Sequence, residues 1–287
     1  MKSITKLERR ESPGRRFFSV SSSSLAGDSG GGGQARASAS PEEDISPALR
    51  DIPAVHVVIP DDTRLVTVSE PHGPGADRFR YLRLHLRELR KRAKIQAIAI
   101  TSPLPKEGKS TVAMNLAHSL SEHGKKTVLC IEADLYHQTV TEAFALASPQ
   151  GLIDCVEDGL DPLSAVLRLD PLGWYVLPAG SKPTNPTEVI HSPNFPNVLA
   201  KLRPHFDWIV LDTPPLLPLS DTVTIAGITD GTLLVIRAGQ TPKESVEESL
   251  RIIGPRKALG LVLNDSVELN TTYSKYYGSY YKTKQEA

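Results

Sequence analysis

Cysteine is scarce, with only Cys130 and Cys155 in 287 residues. Two thiols exclude a disulfide framework and a four-cysteine metal centre, and they fit buried, unreactive positions instead. An excess of charge of one sign is also lacking, since 33 Lys and Arg meet 33 Asp and Glu. Nothing global therefore draws the chain to nucleic acid, and any attraction for anions must be local. Long apolar runs are missing as well. No stretch approaches the roughly 18 residues that cross a bilayer, and no apolar segment follows the basic start of the chain as it would in a secretory signal. A cytoplasmic location is the expectation.

What is present divides the chain into four parts. Residues 1–60 are rich in Ser, Gly, Ala and Pro, with runs at 21–24 and 30–33. They lack a sustained apolar period, so burial cannot offset chain entropy and disorder is expected. The arginines Arg9, Arg10, Arg15 and Arg16 keep that segment soluble. Residues 61–94 read as a linker and a basic amphipathic helix. Phe79, Leu82, Leu86, Leu89 and Ala93 recur at steps of three and four, which is one helical face. Beside them runs a stripe of Arg80, Arg83, Arg87 and Arg90, whose like charges repel unless acidic groups approach from elsewhere, so it suggests a partner surface.

Residues 95–264 alternate short β-branched runs with helical patterns, which describes an α/β domain with a mostly parallel sheet and helices on both faces. Strands are predicted over 95–101, 127–132, 174–177, 208–212, 232–237 and 260–264, and a helix closed by Gly124 follows the first. Residues 265–287 form a tail. Within it Tyr273, Tyr276, Tyr277, Tyr280 and Tyr281 supply five of the eight tyrosines, with no aliphatic companions to build a core.

The sequence Ser102-Pro-Leu-Pro-Lys-Glu-Gly-Lys-Ser-Thr111 lies between a predicted strand and a predicted helix, the context in which Gly-Lys-Ser means a P-loop. Main-chain N–H groups around Lys106, Glu107 and Gly108 and at the helix start can wrap phosphates. Lys109 would neutralise the β- and γ-phosphates, Ser110 would ligate magnesium, and Thr111 would meet the α-phosphate. Pro103 replaces the first glycine of the general pattern. Four apolar residues ending in Asp212 describe a buried strand that brings a carboxylate to the sheet's carboxyl edge, the place of a Walker B acid. Glu132 and Asp134 end the strand predicted at 127–132.

These three elements together resemble the bacterial tyrosine kinases of capsule and exopolysaccharide synthesis, in which a second Walker-A-like element supplies two acids spaced by one residue. The resemblance continues through Gly151-Leu-Ile-Asp154, Leu177-Pro-Ala-Gly180, Asn185-Pro-Thr-Glu188 and Ser192-Pro193, and through 207–221 and 260–264. Asp77, Arg80 and Arg83 resemble the family's acid-x-x-Arg-x-x-Arg motif, which joins subunits into a ring. Three positions depart from the family pattern. Glu132 stands where Asp is usual, Tyr136 where Arg is usual, and Lys106 where Gly is usual. Leu104 occupies the position of the signature lysine of partition-type ATPases, which argues against that rival family.

The resemblance implies a P-loop NTPase fold and an ATP- and Mg2+-dependent tyrosine autokinase that modifies its tail tyrosines in trans. Lys109, Glu132, Asp134 and Asp212 are the catalytic candidates, with Ser110, Asp134 and Asp212 toward the metal. Either Glu132 or Asp134 could take the phenolic proton. Implied partners are further copies of the chain, in a ring, and a membrane polysaccharide co-polymerase that recruits it to the inner face of the cell membrane. An ATPase switch or a nucleotide-binding scaffold without tyrosine transfer is the alternative, and the tyrosine cluster separates them.

Overall fold

The computed structural model describes residues 46–60, 63–147, 150–181 and 183–265. The five tail tyrosines lie outside them. In chain order the elements are β1 (Ala54–His56), α1 (Val66–Ser69), α2 (Pro74–Ala93), β2 (Ala97–Thr101), α3 (Lys109–Ser121) and β3 (Val128–Glu132). Next come α4 (Thr139–Ala143), α5 (Leu152–Glu157), β4 (Leu167–Asp170), β5 (Trp174–Leu177), α6 (Pro186–His191), α7 (Asn194–Leu202) and β6 (Trp208–Asp212). The last are α8 (Asp221–Ile228), β7 (Gly231–Arg237), α9 (Lys243–Ile253) and β8 (Ala258–Asn264).

One eight-stranded sheet runs in the order β1-β4-β5-β3-β6-β2-β7-β8. Every pairing is parallel except that of β4 with β5. Because side chains alternate across a strand, each central strand feeds two cores. Ala97, Ala99, Leu129, Ile131, Ile209 and Leu211 pack on one side, with Phe195 and Leu202 of α7. Ile98, Ile100, Val128, Cys130, Trp208 and Val210 pack on the other, with Val112, Leu116 and Leu120 of α3 and Leu86 of α2. A strand buried on both faces needs apolar residues at every position, which is why 128–131 and 208–211 read as unbroken apolar runs.

β2 and β3 are consecutive in the chain but lie on opposite sides of β6. That arrangement gathers the carboxyl ends of β2, β3 and β6, where open α/β sheets bind ligands.

Two features depart from the sequence expectation. Residues 46–60, assigned by composition to the disordered leader, carry β1, which pairs with β4 through Ala54 and Arg168. Leu49 and Val57 are buried there, so a few apolar residues suffice once a neighbouring edge strand accepts them. The arginine stripe of α2 finds polar partners within its own chain while Arg80 and Arg87 stay partly exposed. Arg83 donates to the Ser119 carbonyl at 2.8 Å and Arg87 to Glu122 at 3.0 Å, so both cations sit at the carboxyl end of α3, where orphan carbonyls attract them. Arg90 donates to the Asp207 carbonyl at 2.6 Å and lies 4.8 Å from the centre of the Trp208 ring. Arg80 pairs with Asp77 and with the Pro71 carbonyl. The repulsion within the stripe is relieved inside one chain.

Candidate active site

The loop between β2 and α3 is shaped by its own side chains. Ser102 Oγ donates to the Leu104 carbonyl at 2.7 Å, and the Leu104 N–H donates to Glu107 Oε2 at 3.0 Å. Thr241 donates to the other Glu107 oxygen. Asn264, at the end of β8, donates to the Glu107 carbonyl at 2.9 Å. The Glu107 side chain is thus a staple within the loop, and only its main chain remains for a phosphate. Lys106 and Gly108 have φ values of 65° and 90°. Glycine is favoured at 108 because a side chain is strained at a φ of 90°, and a β-carbon there would also displace the Asn264 amide. Lys106 adopts the left-handed region despite its side chain, and the family's glycine at that position fits the same backbone.

α3 begins at Lys109, whose Nζ lies 2.5 Å from Asp134 Oδ2, 3.3 Å from Ser110 Oγ and 3.9 Å from Asp212 Oδ1. Burial pulls the Lys109 ammonium down, but Asp212 and Asp134 outweigh it and leave the group above its ordinary value. The lysine is therefore a charged group held among carboxylates from two strands. Asp134 also accepts the His137 N–H at 3.1 Å. Asp212 is fully buried, with only the Ser110 hydroxyl and the Lys109 ammonium, 3.9 Å away, beside its oxygens. Burial pushes its carboxyl up to about 6, with Lys109 opposing the shift.

Glu132 lies beside this group, but its oxygens are taken by other donors. Its Oε1 accepts the N–H groups of Val140 at 2.6 Å and Thr141 at 3.1 Å, while Oε2 accepts the Thr141 hydroxyl and the Ala179 N–H at 3.1 Å. A carboxylate offers about four lone-pair sites, and these four donors occupy them. Glu132 ties β3 to α4 and to the chain leaving β5, while its charge still acts on Lys109 and Asp212. Lys109, Ser110, Asp134 and Asp212 do come together, and Thr111 follows in the first turn of α3, where its carbonyl accepts from Asn115.

A neighbouring polar group was not read from the sequence. The Tyr136 hydroxyl donates to Asp221 Oδ2 at 2.9 Å and lies 2.8 Å from Thr187 Oγ1, while His191 Nε2 is 3.4 Å from Asp221 Oδ1. Burial raises the Tyr136 phenol above its ordinary value. The sequence had marked Tyr136 as a departure from the family pattern, but nothing local linked it to Asp221, an acid that opens a helix and ordinarily reads as a cap. Cys130 and Cys155 are free and buried, and burial pushes the first thiol well up and the second to about 12. Both are unreactive, as expected.

The donor set fits magnesium. Mg2+ takes hard oxygen ligands, and Asp212 presents two buried oxygens beside the Ser110 hydroxyl in the first turn of α3. Among the described residues no group of three or more His, Cys, Asp or Glu could hold a metal by itself. That is consistent with a site that relies on substrate phosphates and water for its remaining ligands.

No protein-family model matches the chain. The tyrosine-protein kinase YwqD of Bacillus subtilis is 30% identical over 217 residues, covering 75% of this chain and 91% of that protein. The tyrosine-protein kinase CpsD of Streptococcus agalactiae is 33% identical over 207 residues, covering 71% and 89%. The succinoglycan biosynthesis transport protein ExoP of Rhizobium meliloti is 32% identical across 75% of this chain and 29% of its own length. Among solved structures, the chimerical protein CapA2B2 superposes with a TM-score of 0.66 at 27% identity, covering 75% of this chain and 95% of that one. The kinase domain of the Escherichia coli tyrosine kinase ETK also gives 0.66, at 25% identity and covering 70% and 79%. With the P-loop at the carboxyl edge of a mostly parallel sheet and the two tyrosine-protein kinases YwqD and CpsD matched along most of their length, the chain belongs to the bacterial tyrosine-protein kinases, built on the P-loop NTPase fold.

Proposed function

We propose that the chain is an autokinase that transfers the γ-phosphoryl group of ATP to Tyr273, Tyr276, Tyr277, Tyr280 and Tyr281 of a neighbouring copy. The supporting observation is the buried Lys109 ammonium, ion-paired with Asp134 at the start of α3. Its flexible stem lets Nζ exchange Asp134 for the β- and γ-phosphates, while main-chain N–H groups of the loop and of the first turn of α3 take phosphate oxygens. Thr111 serves the α-phosphate. Ser110 and Asp212 would hold magnesium, which when bound supplies neutralising charge to the transferred group. Asp134, released as Lys109 turns to the nucleotide, takes the phenolic proton of the incoming tyrosine. Glu132 keeps the β3–α4 turn in place.

Copies of the chain assemble as a ring through Asp77, Arg80 and Arg83. Arg80 keeps 39% side-chain exposure, and Tyr81 and Leu84 beside it are exposed. Among the described residues no helix is long and apolar enough to cross a membrane. Recruitment to the inner face of the membrane is assigned to a partner, a polysaccharide co-polymerase. The ExoP match places a region similar to this chain within a longer protein named for succinoglycan transport, and regulation of polysaccharide synthesis and export is the corresponding role.

The test is mass spectrometry of the purified chain with Mg-ATP, with the five tail tyrosines intact and all changed to Phe. Phosphate on the intact tail, mostly lost in the Phe form, supports the proposal. Release of inorganic phosphate alone makes the chain an ATPase switch, and neither product leaves a nucleotide-binding scaffold.

A further inference from the structure

Glycine reaches positive φ at little cost, so a larger side chain held there marks a helix end or a site where strain serves a purpose. Among the described residues Lys94, Lys106, Glu122, His123, Ala145 and Asp265 have positive φ without being glycine. Lys94 and Glu122 cap α2 and α3, His123 continues the turn after α3, and Ala145 follows the end of α4. Left-handed residues at helix carboxyl ends are ordinary. Asp265 follows β8. Lys106 closes no element. It has a φ of 65° in the middle of the phosphate loop, three residues before the start of α3 at Lys109.

The loop turns its two charged side chains opposite ways. Glu107 is buried, and its oxygens take the Leu104 N–H and the Thr241 hydroxyl. Lys106 is exposed, and among the described residues its ammonium has no hydrogen bond or ion pair. The neighbouring carboxylate is therefore spent inside the protein, and the Lys106 charge is left for something that arrives from solvent. The site beside it needs positive charge. One ammonium, that of Lys109, faces Asp212, Asp134 and Glu132, and a triphosphate brings further negative charge. Left-handed residues at 106 and 108 on either side of Glu107 give the alternation that turns successive N–H groups toward an anion. Phosphate held there lies against the loop that carries the Lys106 stem. In a P-loop the lysine at the helix start serves the β- and γ-phosphates. With Thr111 on the α-phosphate, the path back along the chain through Lys109 to Lys106 leads toward the terminal one.

We propose that Lys106 is a second phosphate-binding cation, whose ammonium pairs with the γ-phosphate of ATP from the solvent side of the loop and so selects ATP over ADP. This deepens the reading proposed above and rests on its ATP site. The strain of a lysine at positive φ is retained because a glycine there would carry no charge. Lys109, buried, grips the nucleotide from inside, and Lys106 adds a contact that exists only while the γ-phosphate does. Once that group has been transferred the contact is gone, so ADP is held less tightly than ATP and leaves the site.

The experiment uses the full chain and its Lys106→Met, Lys106→Gly and Lys106→Arg variants, titrated calorimetrically with magnesium and either ADP or a non-hydrolysable ATP analogue. Met and Gly should weaken the ATP analogue by about 10-fold, the weight of one charge-assisted contact, and leave ADP within about twofold. Arg should keep the preference for the triphosphate. In nucleotide-free calorimetric scans Gly should unfold a few degrees above the parent, with the strain relieved, whereas Met should not. Unchanged affinity for the ATP analogue in folded Lys106→Met overturns the inference, and an equal loss for both nucleotides overturns the γ-phosphate contact. A Gly variant no more stable than the parent removes the strain from which the role was inferred. A parent chain that prefers the triphosphate, loses that preference in Lys106→Met and yet labels none of its tail tyrosines with Mg-ATP supports Lys106 and defeats the kinase proposal. A parent that binds neither nucleotide defeats both.

Discussion

Asp212 destabilises the fold that carries it, and the size of that effect follows from its surroundings. Both oxygens are buried, and burial pushes the carboxyl from 3.8 to about 6 against the opposing pull of Lys109 and Ser110. A displacement of about 2 units at 1.36 kcal/mol per unit means that ionised Asp212 costs the ligand-free fold about 3 kcal/mol at neutral pH. The folded value is the raised one, so protonation favours the fold. The cost is absent below about pH 4, where folded and unfolded chains both hold the proton. It grows as pH rises toward 6 and is complete above that. Asp212→Asn removes the charge, and Lys109 keeps Asp134 as its partner. At pH 7.5 without magnesium or nucleotide, the variant should unfold roughly 6–12 °C above the parent, at about 2–4 °C per kcal/mol for a domain of this size. Differential scanning calorimetry across pH 4.5 to 7.5 should show the gap narrowing toward the acid end. Mg-ATP should reverse the order by stabilising only the parent. A variant less stable than the parent at pH 7.5, or a gap that ignores pH, would refute this account of the buried carboxylate.

Four other outcomes follow from neighbouring contacts. Lys109→Ala should lose ATP binding in a calorimetric titration and also destabilise the chain by about 3 kcal/mol, because it leaves buried Asp134 and Asp212 without their cation; unchanged ATP affinity would remove the P-loop assignment. Glu132→Asp should lower thermal stability, since the shorter arm cannot reach all four donors and each abandoned buried group costs about 1–3 kcal/mol. An increase in transfer rate would instead return Glu132 to proton transfer. Arg90→Ala should lower the unfolding temperature by a few degrees through loss of its carbonyl and Trp208 contacts, without changing particle mass in light scattering. Arg80→Ala combined with Arg83→Ala should reduce that mass, and no reduction would remove α2 from the ring interface.

Wherever one physical constraint acted alone, the fold was legible. The strands at 128–132 and 208–212 had to be apolar throughout because helices cover both faces, and the loop before Lys109 had to bend where Gly108 approaches Asn264. Short edge strands carry less information. β1 is three residues long and β4 four, and their pairing depends on each other rather than on a local pattern. The stripe of Arg80, Arg83, Arg87 and Arg90 was visible as spacing, but spacing on one helix does not reveal whether the facing carbonyls belong to the same chain or another. Here Ser119 and Asp207 provide them from within.

The candidate site shows the same limit more sharply, because residue type places a carboxylate without deciding what surrounds it. Glu132, Asp134 and Asp212 all stand at ends of adjacent strands, yet one is saturated by donors, one holds Lys109, and one has only the Ser110 hydroxyl and a more distant Lys109 beside it. These differences arise from α4, from the segment after β5 and from the start of α3, which reach the edge from distant parts of the chain. Only the last is poised to gain from a cation, and only the lysine-bound one can be released by a phosphate. The departure at Glu132 is then a change of reach: the additional methylene carries its carboxylate to Thr141 and Ala179. Tyr136 changes the site differently, replacing a fixed positive charge with a hydroxyl on Asp221. The two departures leave the group of Lys109, Ser110 and Asp212 intact and alter its acidic flank, the side on which the proposed acceptor tyrosine would lose its proton.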